Sequence, residues 1–256
     1  MNTQTKHATA RTQKPSNRGH LDATTAYLGF VSDITMATGL IVVTAVVAGV
    51  PGWVGFQAGA VFAALTLGII ALQKHFHTDH RLSSADRVTL IRAAVAALCA
   101  GLLFHGDTAT ALGWWLSALA GTALVLDGID GWLARRSGTA SAFGARFDME
   151  TDAFFILVLS GLVWQLDKVG PWVLAIGAMR YVFLAAATVL PALNAPLFPS
   201  KRRQTVCVIQ VAALVICLLP AVGPGLATVL GTGALIALVY SFAVDVAWLL
   251  ARPTPR

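Results

Sequence analysis

The chain has 256 residues, of which 57% are apolar and only 12% charged, and its mean hydropathy is +0.73. That balance excludes a soluble protein of one or two domains and predicts an all-α, polytopic integral membrane bundle. The net charge of +6 does not indicate nucleic-acid binding, because the basic residues sit in short loops between apolar runs and show no interleaving with aromatics.

Residues 1–26 open the chain as a polar, basic tail, predicted to be disordered and cytoplasmic. Its first twenty residues hold no hydrophobic run, so no cleavable signal peptide is expected. Eight spans follow, at roughly 27–50, 53–73, 87–105, 109–134, 148–166, 171–191, 205–221 and 226–250, each near the ~20 residues that cross the hydrocarbon core. Both termini then share one side. Lys6, Arg11, Lys14, Arg18, Lys74, Arg81, Arg87, Arg135, Arg136, Arg146, Lys201, Arg202, Arg203, Arg252 and Arg256 fall on that side and Lys168 on the other. The asymmetry identifies the basic side as cytoplasmic in a cell (inner) membrane, and Trp53, Trp114, Trp115, Trp164 and Trp172 form a belt near the opposite interface.

The first two spans, residues 27–73, carry little chemistry. Asp33 lies near a cytoplasmic end, where it can reach headgroups, and Asp245 in the last span has the same explanation. His75, His77 and His80 precede the third span without supporting ligands, which reads as a solvated loop. The third span opens at LSSADRVTLIR (82–92), where Ser83 or Ser84 can cap the helix. Cys99, Cys207 and Cys217 all fall in apolar runs, an odd count without paired spacing, and read as packing residues.

The stretch from Asp127 to Asp152 reads DGIDGWLARRSGTASAFGARFDMETD. It holds Asp127, Asp130, Asp148, Glu150 and Asp152 out of only 12 acidic residues in the chain. Carboxylates beside apolar spans are costly, and here they are candidates for function. Asp127 and Asp130 are three apart, and Asp148 and Asp152 are four apart, so each pair occupies one helix face. Arg135 to Thr139 reads as a polar turn with Gly138 as breaker, and an antiparallel hairpin would bring both pairs together. Such a cluster needs a cation, and hard oxygen ligands suit Mg²⁺ or Mn²⁺, ions that commonly also bind substrate phosphates. Gly131 and Ala134 leave a gap in one helix wall and Gly144 in the other, while Arg135 is a fork for phosphate.

These residues resemble the signature of the CDP-alcohol phosphotransferases, integral membrane enzymes of phospholipid synthesis. The pattern D-x2-D-G-x2-A-R-x8-G-x3-D-x3-D is complete, at Asp127, Asp130, Gly131, Ala134, Arg135, Gly144, Asp148 and Asp152. The resemblance implies a six-helix core, here residues 83–250, so that 27–73 is an addition of two helices and 251–256 a cytoplasmic tail. It implies metal ligands at Asp127, Asp130, Asp148 and Asp152, with Asp152 also the general base, and nucleotide contacts at Gly131, Ala134, Arg135 and Gly144. The family's opening element, a Pro-Asn pair followed by Thr and Arg, is matched at Thr89 and Arg92. Ala85 and Asp86 replace Pro-Asn. Thr89 is thereby a further nucleotide-contact candidate. Family members resemble homodimers.

Downstream, Arg146 stands two residues before Asp148, and Arg180 falls near the middle of the sixth span. A mid-span guanidinium needs an anion. An ion pair with Asp33 or Asp245, snorkelling to the interface, and a ligand phosphate all satisfy that need. Lys201, Arg202 and Arg203 enter the seventh span and alone would only obey the orientation rule. By resemblance, a basic-x-basic run of this kind binds the phosphate of a phosphorylated acceptor, which makes Arg146, Arg180, Lys201 and Arg203 acceptor-site candidates.

The expected activity is transfer of a phosphatidyl group from a CDP-linked lipid such as CDP-diacylglycerol to a small cytoplasmic alcohol or polyol phosphate, with release of CMP. An unphosphorylated acceptor such as serine, a membrane transporter and an inactive scaffold are the alternatives. A transporter would place its acids near the bilayer midplane within repeated halves. Here they lie at one interface and the halves do not match.

Overall fold

The structure is a computed structural model that describes residues 17–76, 82–137, 141–195 and 200–251, without the side chains of 17–24, 130–137, 191 and 194. Every regular element among these residues is helical: α1 (Asn17–Val47), α2 (Gly52–His75), α3 (Ser84–Gly101), α4 (Gly106–Ala111), α5 (Gly113–Ser137), α6 (Ala142–Gln165), α7 (Leu174–Val189), α8 (Lys201–Leu218) and α9 (Pro224–Leu250). Short 3-10 turns at Pro171–Val173 and Pro191–Asn194 flank α7.

Among the described residues, Thr25–Val47, Gly52–His75, Pro171–Val189 and Pro224–Leu250 are long and apolar enough to cross a bilayer, and Gly113–Ile129 is a shorter apolar helix. A polytopic membrane bundle fits these segments. Three of the eight expected spans, those of α3, α6 and α8, carry charged residues in their N-terminal halves, which shortens the uncharged apolar run of each. Several boundaries move from their expected places. The third span ends at Gly101, and α4 forms a separate turn before α5. Helix α6 starts at Ala142, ahead of the expected 148, because Ser141 accepts a hydrogen bond from Gly144 N and so caps it. The expected turn at Arg135-Arg136-Ser137 is helical, since α5 runs through Ser137. Gly138 and Thr139 lie outside the described residues, as do His77 and His80.

Helix α3 is the axis of the bundle. Its small residues from Ala93 to Ala100 are buried on every side, which lets α1, α2, α5 and α6 all pack against it. One apolar core joins α3 to α5, α6, α8 and α9. A second joins α1 and α2 to α3 and to Phe143 and Phe147 of α6. Helices α6 and α7 meet backbone to backbone at Gly177, where a Cβ would lie 2.4 Å from Leu157 Cα.

Ion pairs set the ends of this frame. Asp33 of α1 does not reach for headgroups; it accepts a hydrogen bond from Arg87 of α3 at 3.1 Å. Asp245 of α9 is likewise buried inside, paired with Arg202 of α8, whose other nitrogen donates to Ser241 O at 2.8 Å. Lys168, on the side away from most of the basic residues, donates to Val222 O and Leu219 O and closes the C-terminal end of α8.

Candidate metal and catalytic site

The site is built where α3, α5 and α6 converge. Helix α3 is started by a reciprocal cap: Ser83 accepts from Asp86 N, and Asp86 accepts from Ser83 N at 2.8 Å. That cap places Thr89 and Arg92, one turn apart, on the buried side of α3. The Thr89 hydroxyl donates to Ala85 O at 3.2 Å. Helix α5 presents Asp127, and α6 presents Asp148 and Asp152 on one face.

One carboxylate oxygen each from Asp127, Asp148 and Asp152 can be chosen so that all lie within 4.8 Å of one another. Three anions at that spacing repel unless a cation joins them. Arg92 is such a cation in the protein itself. Only 4% of its side chain is exposed, Nη2 lies 2.9 Å from Asp127 and bonds Asp152, and Nη1 donates to Asp148 at 2.6 Å. Its planar fork reaches three carboxylates at once.

The donor set also fits a hard divalent ion. Carboxylate oxygens gathered this closely are the hard donors that Mg²⁺ or Mn²⁺ takes. Asp130, the fourth expected ligand, has a helical backbone on α5, as has Gly131, but its side chain lies outside the described residues, as do those of Ala134 and Arg135.

Gly144 has a definite reason to be glycine. A Cβ there would stand 2.5 Å from Asp86 Oδ1 and 3.1 Å from Ser141 Oγ. The approach that Gly144 permits in this structure is therefore that of α3, whose cap and the start of α6 are locked together.

The acceptor candidates divide between two places. Arg146 and Arg180 both pair with Glu150 at 2.8 Å, so neither of the expected partners of Arg180, Asp33 or Asp245, is its partner. Lys201 and Arg203 stand at the start of α8, with Arg203 Nη1 at 3.9 Å from Asp245. One turn beyond Arg203 on the same face, the Cys207 thiol lies 4.0 Å from Asp152 Oδ2. Cys207, read from sequence only as packing, thus borders the carboxylates. With Arg92, Asp127, Asp152 and Phe155 it lines a cavity of about 10 Å³, room for no more than one water. Arg92 is the other contributor whose place in the cluster the spacing of the acids does not show. The signal in the sequence is the match of Arg92, with Thr89, to the opening element of the resemblance.

A model of the CDP-alcohol phosphatidyltransferase family matches residues 82–244, from the start of α3 into α9. Helices α1 and α2 precede the match. No curated protein and no solved structure matches the chain.

Proposed function

From the premise that the chain belongs to the CDP-alcohol phosphatidyltransferase family, transferases of substituted phosphate groups, we propose that it moves a phosphatidyl group from CDP-diacylglycerol to the hydroxyl of a small alcohol and releases CMP. The observation that carries this reading is the convergence of Asp127, Asp148 and Asp152 on one point beside Arg92.

Asp127, Asp130, Asp148 and Asp152 would hold Mg²⁺ or Mn²⁺. When bound, such an ion neutralises the pyrophosphate and stabilises the departing CMP. Arg92 keeps the carboxylates gathered. Asp152 takes the proton of the acceptor hydroxyl as general base. Arg135 binds phosphate, while Gly131, Ala134 and Thr89 shape the nucleotide's seat and Gly144 lets α3 close against α6 beside it. The protein contributes position and charge rather than covalent chemistry.

The acceptor reading is a phosphorylated polyol, with Lys201 and Arg203 at the cytoplasmic mouth as its phosphate contacts. What supports it is that Arg203 shares a face of α8 with Cys207, which touches Asp152. Arg146 and Arg180 meet on the opposite side of α6 and are left out of this reading. In the membrane, the reading is eight passes with the termini and the site on the cytoplasmic side.

The test offers CDP-diacylglycerol and a panel of alcohols to purified protein, with and without Mg²⁺ or Mn²⁺, and follows CMP and the mass of the lipid product. CMP release that needs both the metal and an alcohol is expected. Its absence with every alcohol would leave the transporter or scaffold alternatives standing.

A further inference from the structure

Helix α6 carries charge on two opposite sides. Asp148 and Asp152 turn toward Arg92 of α3. Glu150 lies two residues from each, about 200° around the helix at 3.6 residues per turn, and turns toward α7. There it accepts from Arg180 Nη2 and from Arg146 Nε, both at 2.8 Å. These three side chains sum to +1. Arg180 stands in the middle of the apolar segment Pro171–Val189, where an uncompensated cation is costly.

Two further observations show what would compensate it. The Arg180 Nε is buried and has no hydrogen-bond partner among the described residues. The cluster is also open at its rim, with Arg180 22% and Glu150 35% exposed, and is bordered by the exposed apolar side chains of Met149, Tyr181 and Val182. A ligand that fits must carry one negative charge on paired oxygens for the guanidinium groups and apolar chains for the border.

We propose that Arg146 and Arg180, held by Glu150, seat the phosphodiester of an anionic glycerophospholipid from the surrounding bilayer, in the α6–α7 groove on the far side of α6 from the carboxylate cluster. The phosphodiester's single charge balances the residual +1. Glu150 keeps the site from demanding a dianion and holds the two guanidinium groups side by side. The site does not depend on the transfer reaction, because the helix itself stands between the two clusters.

The test is native mass spectrometry of the full chain released from nanodiscs of equal phosphatidylglycerol and phosphatidylcholine. Wild type should retain phosphatidylglycerol in preference, and Arg146→Gln and Arg180→Gln should each weaken retention about tenfold, the loss expected for one charge-assisted contact. Glu150→Gln should strengthen it, and Asp127→Asn, on the other side of α6, should leave it unchanged. Arg146 is at the exposed rim, so its variant carries the test even where Arg180→Gln fails to fold. Equal retention of the two lipids, or wild-type retention by Arg146→Gln, would overturn the proposal. Equal thermal stabilisation in detergent by inorganic phosphate and by phosphatidylglycerol would overturn the lipid as the source of the anion.

Discussion

Asp148 of α6 accepts a hydrogen bond from Arg92 Nη1 of α3 at 2.6 Å, and through the other arm of the same guanidinium Asp148 is linked to Asp127 and Asp152. The two helices are therefore joined at the functional site by charge as well as by apolar packing. A cluster that could hold a divalent ion is thus assembled around a cation that the chain supplies.

Replacing Arg92 by Gln should destabilise the protein by about 1–3 kcal/mol, because three half-buried carboxylates, still open to water, lose their shared partner. The check is thermal unfolding of detergent-solubilised protein with and without Mn²⁺. The ion should recover part of the loss, because it supplies positive charge to the same oxygens. An equal deficit in both conditions would mean that Arg92 acts through packing alone.

Gly144→Ala should cost about 1–3 kcal/mol, the range for overpacking, because its Cβ would meet Asp86 Oδ1 at 2.5 Å. Asp86→Ala alone should cost about 0.5–2 kcal/mol through loss of the cap. Together the two changes should cost less than their sum, since the second removes the atom that the first strikes. A double-mutant cycle on unfolding midpoints measures this coupling, and strict additivity would contradict the contact.

The acidic face of the site was legible because helical periodicity is local: a spacing of four puts Asp148 and Asp152 on one side whatever surrounds them. The cap of α3 is legible only as Ser83 or Ser84, and the structure selects Ser83. The partners of the charges were not. Arg92 meets Asp148 across 56 positions of sequence, and nothing local distinguishes that pairing from Arg180 meeting Asp33 or Asp245. Glu150 counts in the sequence only as one more acid of the cluster, yet its opposite phase on α6 is what carries Arg146 and Arg180 away from the carboxylates. The helical run through Arg135 to Ser137 was missed because a charged stretch followed by glycine looks like a turn, while α5 simply continues past the apolar segment.

Asp152→Asn and Asp127→Asn should separate proton transfer from metal binding. If Asp152 is the base, its loss should slow turnover by about 10²–10⁴ while Mn²⁺ affinity, read by electron paramagnetic resonance, falls less than in Asp127→Asn. Wild-type turnover in Asp152→Asn would remove it from that role. The comparison is fair because both carboxylates contact the same guanidinium, so the disturbance to Arg92 is shared.

Arg202 and Arg203 are neighbours with different expected phenotypes, and the difference is geometric. Arg202 bonds the buried Asp245 and the Ser241 carbonyl, tying α8 to α9. Arg203 approaches Asp245 only to 3.9 Å and lies on the α8 face that leads to Cys207 and Asp152. Arg202→Gln should therefore lower stability by about 3–5 kcal/mol through the stranded Asp245 carboxylate. Arg203→Gln should instead raise the KM for a phosphorylated acceptor about tenfold, the worth of one hydrogen bond between charged partners. Its kcat should change little, because contact with a remote phosphate is made equally in the ground and transition states. Steady-state kinetics over acceptor concentration checks this, and an unchanged KM would remove Arg203 from the acceptor site.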